Sequence, residues 1–193
     1  MRLALFDFDG TLTTKDSLGE FFKFAFGRPY YYLKILLFSP VLILYKLKIM
    51  DNSYAKELLF RFFFKNIDEL AFRERAQHYA EEEIEKILRR DIYAKFLEHI
   101  EHGDRVLIVS ASMRCWLLPF AQKHSVELLC TELAFEDGKF SGYFATKNCH
   151  GEEKLRRVKE VVELADFEEI YAYGDSSGDK YLWSVADHKI KVK

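Results

Sequence analysis

The sequence predicts an α/β fold, a doubly wound parallel sheet with an all-helical block inserted after the first strand. Short apolar runs of strand character alternate with helix-patterned segments through the second half of the chain. One such run also stands at the N-terminus. Between it and the next strand signal, near residue 105, the pattern is helical throughout. The expected division is a core made of residues 1–15 and 89–193 and a helical cap made of residues 16–88.

Residues 2–8 (RLALFDF) are apolar and end in acidic residues, as a buried parallel strand does at its carboxyl end. After a Gly-Thr turn, Asp16 or Ser17 is suited to cap a helix reaching about Gly27. Pro29 and Pro40 are expected to break the helices that follow. Asn52 or Ser53 is expected to cap the next helix and Asp68 the one after, and the Glu81–Glu85 run reads as a solvated helix face. A strand returns at Arg105–Val109, followed by an expected helix from about Ser112 to His124. Val126–Leu133 reads as the next strand, and Glu136-Asp137-Gly138 as a hairpin turn into Lys139–Phe144. A helix over about 152–164 leads to a strand at Glu169–Tyr173. A short helix near Asp179–Ser184 then leads to a last strand, His188–Val192.

Of the 193 residues, 49% are hydrophobic, which rules out a disordered chain. A net charge of −2 leaves no basic excess to hold a nucleic acid. Cys115, Cys130 and Cys149 cannot pair completely and are expected to be reduced thiols of a cytoplasmic protein. The N-terminus opens directly on strand-like residues, so no cleavable signal is expected.

One stretch departs from the average. Between Glu20 and Asp51 there is no acidic residue, and the only charges are Lys23, Arg28, Lys34, Lys46 and Lys48. Its longest uncharged run, Ile35–Tyr45, is too short to span a bilayer, which takes about 20 apolar residues. Residues 21–50 are therefore expected either to touch an anionic membrane peripherally or to pack as an apolar helical pair on the core and the other cap helices.

In a doubly wound sheet, ligands bind at the carboxyl ends of the strands. Four groups of candidate residues fall there. Asp7 and Asp9, in D-F-D-G-T, lie on one side of the departing strand. Paired carboxylates suit phosphoryl chemistry, one attacking phosphorus and the other giving a proton to the leaving oxygen and later activating water. Gly10 permits a sharp turn, and Thr11 can bond the loop or a phosphate. Ser110, with the amides that follow at Ala111 and the start of a helix, suits phosphate oxygens. Lys154, early in a helix, brings an ammonium to a transferring phosphoryl group. Asp175 and Asp179, in G-D-S-S-G-D, complete an oxygen-rich site suited to Mg²⁺.

These four elements, in this order, resemble the motifs of the haloacid dehalogenase superfamily. A helical insert after the first motif resembles subfamily IB. The resemblance implies that Asp7 is the nucleophile and Asp9 the general acid/base. It implies that Mg²⁺ is held by Asp7, the backbone carbonyl of Asp9 and Asp175, with Asp179 in support, and phosphate by Thr11, Ser110 and Lys154. Dehalogenation would not need Asp9; protonating an alkoxide does. An inactive binding protein of this fold would be expected to have lost Asp7 or Asp9.

Phosphoserine phosphatases typically carry D-x-D-S-T, Ser-Gly-Gly and G-D-G-x-N-D. This chain has D-F-D-G-T, Ser110-Ala111-Ser112 and G-D-S-S-G-D. Asp16 stands where that family binds the substrate amine with an acidic residue, and it is also the expected helix cap. The basic, aromatic and aliphatic stretch after the first motif and the C-x-G-x-E-K pattern at Cys149–Lys154 more closely resemble phosphatidylglycerophosphatase C. That implies a lipid phosphate as substrate, with a soluble phosphomonoester as the alternative.

Overall fold

β1 (Leu3–Phe6) runs through the centre of a five-stranded sheet in the computed structural model, which describes residues 1–193. Its neighbours are β2 (Arg105–Met113) and β6 (Ile170–Gly174), with β3 (Glu127–Thr131) and β7 (His188–Lys191) at the edges. All the pairings are parallel. The order β3-β2-β1-β6-β7 reverses direction between β1 and β6, so their carboxyl ends form the crevice where such sheets bind ligands.

Period-two alternation divides the core between the two faces. Leu3, Leu5, Leu107 and Val109 pack under α7 (Glu152–Val161) and α8 (Lys180–Val185). Ala4, Phe6, Val106 and Ile108 pack under α5 (Arg90–Glu101) and α6 (Arg114–Lys123). A separate hairpin, β4 (Leu133–Glu136) and β5 (Lys139–Phe144), turns at Asp137-Gly138 with φ of 49° and 73°. Positive φ at both central residues matches the right-handed twist of the strands, as the Asp-Gly pair predicts.

Four helices fill the stretch after β1: α1 (Ser17–Phe26), α2 (Arg28–Lys46), α3 (Asn52–Phe64) and α4 (Glu69–Glu82). The chain enters and leaves them through one neck, where Thr13 bridges Leu88 and Arg89 N–H donates to the Leu12 carbonyl at 2.8 Å. Aromatic rings join these helices to the sheet side. Phe21 stacks on Trp116 at 4.7 Å, and Phe60 meets Phe140 at 6.2 Å, within one continuous apolar cluster.

Several local expectations need correcting. Pro40 does not break a helix; α2 runs through it as 19 residues. Its ring lies on the exposed side of α2, so the carbonyl one turn back, left without a donor, is on the side open to water. Asp51, not Asn52 or Ser53, caps α3, accepting from Ser53 N–H at 2.7 Å and Tyr54 N–H at 3.1 Å. Asp68 caps α4 as expected. The strand after α5 runs to Met113 rather than Val109, and α6 begins at Arg114 rather than Ser112. The run 126–133 is divided, because the chain leaves β3 after Thr131 to start the hairpin.

Candidate active site

Asp7 leaves β1 with its N–H still bonded to the Tyr173 carbonyl of β6, at 3.0 Å. In the loop that follows, Phe8 enters the core while Asp7 and Asp9 face a cavity of about 330 Å³. Gly10 has a φ of 77°, and a Cβ there would lie 2.3 Å from Asp175 Oδ2. No other residue meets both conditions, so Gly10 lets the loops after β1 and β6 touch.

The charges converge on Lys154. Its ammonium, 3% exposed, donates to Asp7 Oδ1 and Asp179 Oδ1, each at 2.6 Å. Asp179 Oδ2 accepts the N–H groups of Asp175 and Ser176, both at 3.2 Å, which shapes the loop after β6 around one buried carboxylate. Oxygens of Asp7, Asp175 and Asp179 lie within 4.8 Å of one another. Burial pushes Asp7 up to about 7, against the pull of Lys154 and with a further push from Asp179. Burial would lower Lys154, but Asp7 and Asp179 hold it above its ordinary value. Asp175 is raised by burial and then by Asp179.

Three carboxylates around one ammonium leave negative charge unbalanced. Asp7 Oδ2 receives only a 3.4 Å bond from Thr11. Hard oxygen donors in excess of local positive charge fit a divalent cation such as Mg²⁺. Asp7 and Asp175 would hold it, and Asp179 would orient the loop that carries Asp175.

Asp9 has a different environment. Its Oδ1 accepts Ser17 N–H at 2.6 Å, and its Oδ2 accepts the Ser112 hydroxyl. The Asp9 carboxylate therefore stays outside the three-carboxylate cluster, so any metal contact from this residue would fall to its carbonyl. Burial first, and then Asp16, raise its pKa against the bonds from Ser112 and Ser17. Behind it, Trp116 Nε1–H donates to Ser17 Oγ at 3.1 Å, and Ser17 Oγ and Ser112 Oγ are 3.1 Å apart.

The remaining expected residues divide. Ser110 is 1% exposed, and its Oγ accepts Ser112 N–H at 3.0 Å. It lines the cavity from an irregular strand end, not from a helix start, because β2 continues past it. Ala111 also lines the cavity, and its carbonyl accepts Lys56 Nζ at 2.7 Å and Thr131 Oγ1 at 3.0 Å. Thr11 is fully buried beneath Asp7, away from the cavity wall. Asp16 caps α1 through Gly19 N–H at 2.8 Å and stands on the rim.

Sequence reasoning missed Lys56, Ser112 and Trp116. Lys56 projects from α3 into the cavity, where burial lowers its pKa against Asp16 and Asp9. No local pattern marks it. Ser112 had a faint signal, as the second serine of Ser110-Ala111-Ser112.

A parallel sheet that gathers a buried aspartate, a lysine and a second acidic pair at its switch point defines an α/β protein with a carboxylate-rich site. Residues 4–182 match the haloacid dehalogenase-like hydrolase family, and the chain belongs to it. It is 34% identical over 189 residues to Protein CicA of Caulobacter vibrioides (strain NA1000 / CB15N), covering 97% of this chain and 84% of that one. Its fold is similar to that of a protein with unknown function from Bordetella pertussis Tohama I, with a TM-score of 0.83 and 23% identity over 98% of this chain and 89% of that one. It is also similar to a phosphoserine phosphohydrolase-like protein from Francisella tularensis subsp. tularensis SCHU S4, with a TM-score of 0.69 and 17% identity over 99% of this chain and 87% of that one. A phospho-aspartyl intermediate analogue of phosphoserine phosphatase aligns at a TM-score of 0.66 and 16% identity, over 98% and 85% of the two chains.

Proposed function

We propose that this protein is a phosphatase that hydrolyses a phosphomonoester through a phosphorylated Asp7, with residues 16–88 as the cap over its site. The observation that carries the reading is the contrast between two aspartates two residues apart. Asp7 is paired with Lys154, whereas Asp9 sits in a separate hydrogen-bonded niche with a raised pKa. Lys154 holds Asp7 Oδ1, which leaves Oδ2 to attack phosphorus. The P–O bond to the leaving group breaks as the Asp7–phosphorus bond forms, and protonated Asp9 gives its proton to the departing oxygen. Asp9, now ionised, takes a proton from water, whose oxygen attacks the same phosphorus. Inorganic phosphate leaves and the Asp7 carboxylate is restored. Lys154 neutralises phosphoryl oxygens throughout, and Mg²⁺ held by Asp7 and Asp175 would supply further positive charge.

For the substrate we favour a lipid phosphate such as phosphatidylglycerophosphate. Support comes from the cavity wall, where Leu18, Leu42, Tyr45 and Leu59 from three cap helices face the carboxylates. A small soluble phosphomonoester is the second reading, favoured by the opposite charges of Asp16 and Lys56 on the same cavity, which suit an amino-acid amine and carboxylate. Phosphate release from phosphatidylglycerophosphate in mixed micelles, measured beside phosphoserine with Mg²⁺ present, separates the two. Turnover of neither, nor of any simple phosphomonoester, overturns the phosphatase reading.

A further inference from the structure

The side of α2 that faces away from the protein is apolar along its whole length. Leu33, Leu36, Leu37, Ile43, Leu44 and Leu47 are all exposed, with Leu36 at 68% and Leu37 at 64%. Their spacing of three and four places them on one stripe of the helix, and Pro40 lies on the same stripe. On the opposite side Phe38 is buried, with its ring 5.4 Å from that of Phe62. An amphipathic helix ordinarily turns its apolar stripe inward; α2 is apolar on both sides.

Within residues 21–50 the charges are of one sign. Lys23 pairs with Glu20 at 2.7 Å, and Lys34 donates to the Phe62 carbonyl at 2.9 Å while lying over the Phe62 and Phe63 rings. Arg28, Lys46 and Lys48 are exposed and make no ion pair. Arg28 is at the start of α2, and the two lysines are at and just beyond its end. The stripe itself carries no charge.

We infer that the outer face of α2 is a docking surface for an anionic lipid bilayer, on which the helix lies flat. No helix of this protein is long and apolar enough to cross a membrane, which leaves an in-plane arrangement. Apolar side chains enter the acyl boundary while cations at both ends meet anionic headgroups. A second copy of the chain is a poorer occupant. Parallel or antiparallel, it would bring Arg28, Lys46 and Lys48 against their like, whereas an anionic surface complements all three. The docked face also lies beside the site, since Leu42 and Tyr45 of the same helix line the cavity. The inference goes beyond the proposed chemistry and does not depend on it, because vesicle binding is measured without turnover.

Sedimentation of the full chain with phosphatidylcholine vesicles, with and without phosphatidylglycerol, tests it. The expected result is binding that needs the anionic lipid and weakens as salt rises. Each basic residue at such a surface multiplies partition by about fivefold, so R28E/K46E/K48E lowers it by at least about a hundredfold. L36S/L37S/I43S also loses binding. Both variants keep the wild-type rate on a small soluble phosphomonoester, and their circular dichroism shows the helices intact. Wild-type protein that stays in solution with anionic vesicles overturns the inference. So does a concentration-dependent dimer that L36S/L37S/I43S abolishes while vesicles are ignored, which would make the stripe an interface between copies.

Discussion

Trp116 and Asp9 are the two ends of a one-way chain of hydrogen bonds. An indole N–H can only donate, so Ser17 Oγ accepts from Trp116 and turns its own hydrogen to Ser112 Oγ. Ser112 in turn gives its hydrogen to Asp9 Oδ2. The chain joins α6, α1 and the end of β2, and its direction stabilises the Asp9 carboxylate that forms as its proton leaves, against the burial that opposes it.

Removing the first donor should loosen this direction without emptying the core. Trp116→Phe is expected to lower kcat about threefold to tenfold with little change in KM, as fits one neutral hydrogen bond. Ser112→Ala, which removes the direct donor to a carboxylate, should cost about tenfold to a hundredfold. Steady-state kinetics on a small phosphomonoester measures both. An unchanged kcat in Ser112→Ala would remove this chain from the mechanism.

The two aspartates should fail differently. Asp7→Asn is expected to abolish turnover and phosphoenzyme, since an amide is a poor nucleophile. Asp9→Asn should slow turnover by about 10²–10⁴-fold, with the greatest loss on esters whose leaving oxygen most needs a proton. Mass spectrometry of acid-quenched enzyme detects the Asp7 phosphate.

Metal dependence follows from the carboxylate cluster. Chelation should abolish activity and added Mg²⁺ restore it, and Asp175→Asn should raise the Mg²⁺ concentration needed for half-maximal rate. An Asp175→Asn protein with wild-type Mg²⁺ response would contradict this assignment.

Gly10→Ala tests the contact between the two loops. An alanine at φ 77° costs about 1–2 kcal/mol, and its Cβ would displace the Asp175 carboxylate. A lower Tm together with weaker Mg²⁺ activation is expected. A lower Tm alone would indicate that Asp175 does not need its present position.

Away from the site, Asp104 couples stability to pH. Burial raises its pKa, but bonds from His99 and Arg2 outweigh that and leave it below the ordinary aspartate value. Its folded-state pKa therefore lies below the unfolded one, near 3.9. The stabilisation is full above about pH 4 and is lost as pH falls through the lowered folded value. His99 relays this anchor to the Tyr173 hydroxyl at 2.9 Å, on the strand whose carbonyl at Tyr173 holds Asp7. Asp104→Asn should cost about 1.5–3 kcal/mol at pH 7 and flatten the acid limb of stability in urea titrations.

What the sequence by itself determined is local in character. Alternating apolar runs marked the strands, Asp-Gly marked the hairpin, and Asp68 marked a helix start. Strand ends carried Asp7, Ser110 and Asp175, and a helix start carried Lys154, because ligand chemistry in such sheets collects at the carboxyl edge. The acid-free stretch of residues 21–50 was equally visible, since composition needs no fold. Tertiary structure decided the rest. Pro40 sits inside a helix because its side of α2 is exposed, which no local rule foresees. Lys56 reaches the Ala111 carbonyl from 55 residues away, and Trp116 meets Ser17 across 99. Such pairs leave no periodic trace, because side chains brought together by packing are constrained by each other and not by their neighbours in the chain. For the same reason only the folded molecule could assign the acid-free stretch two apolar sides, one packed against the rest of the protein and the other left open.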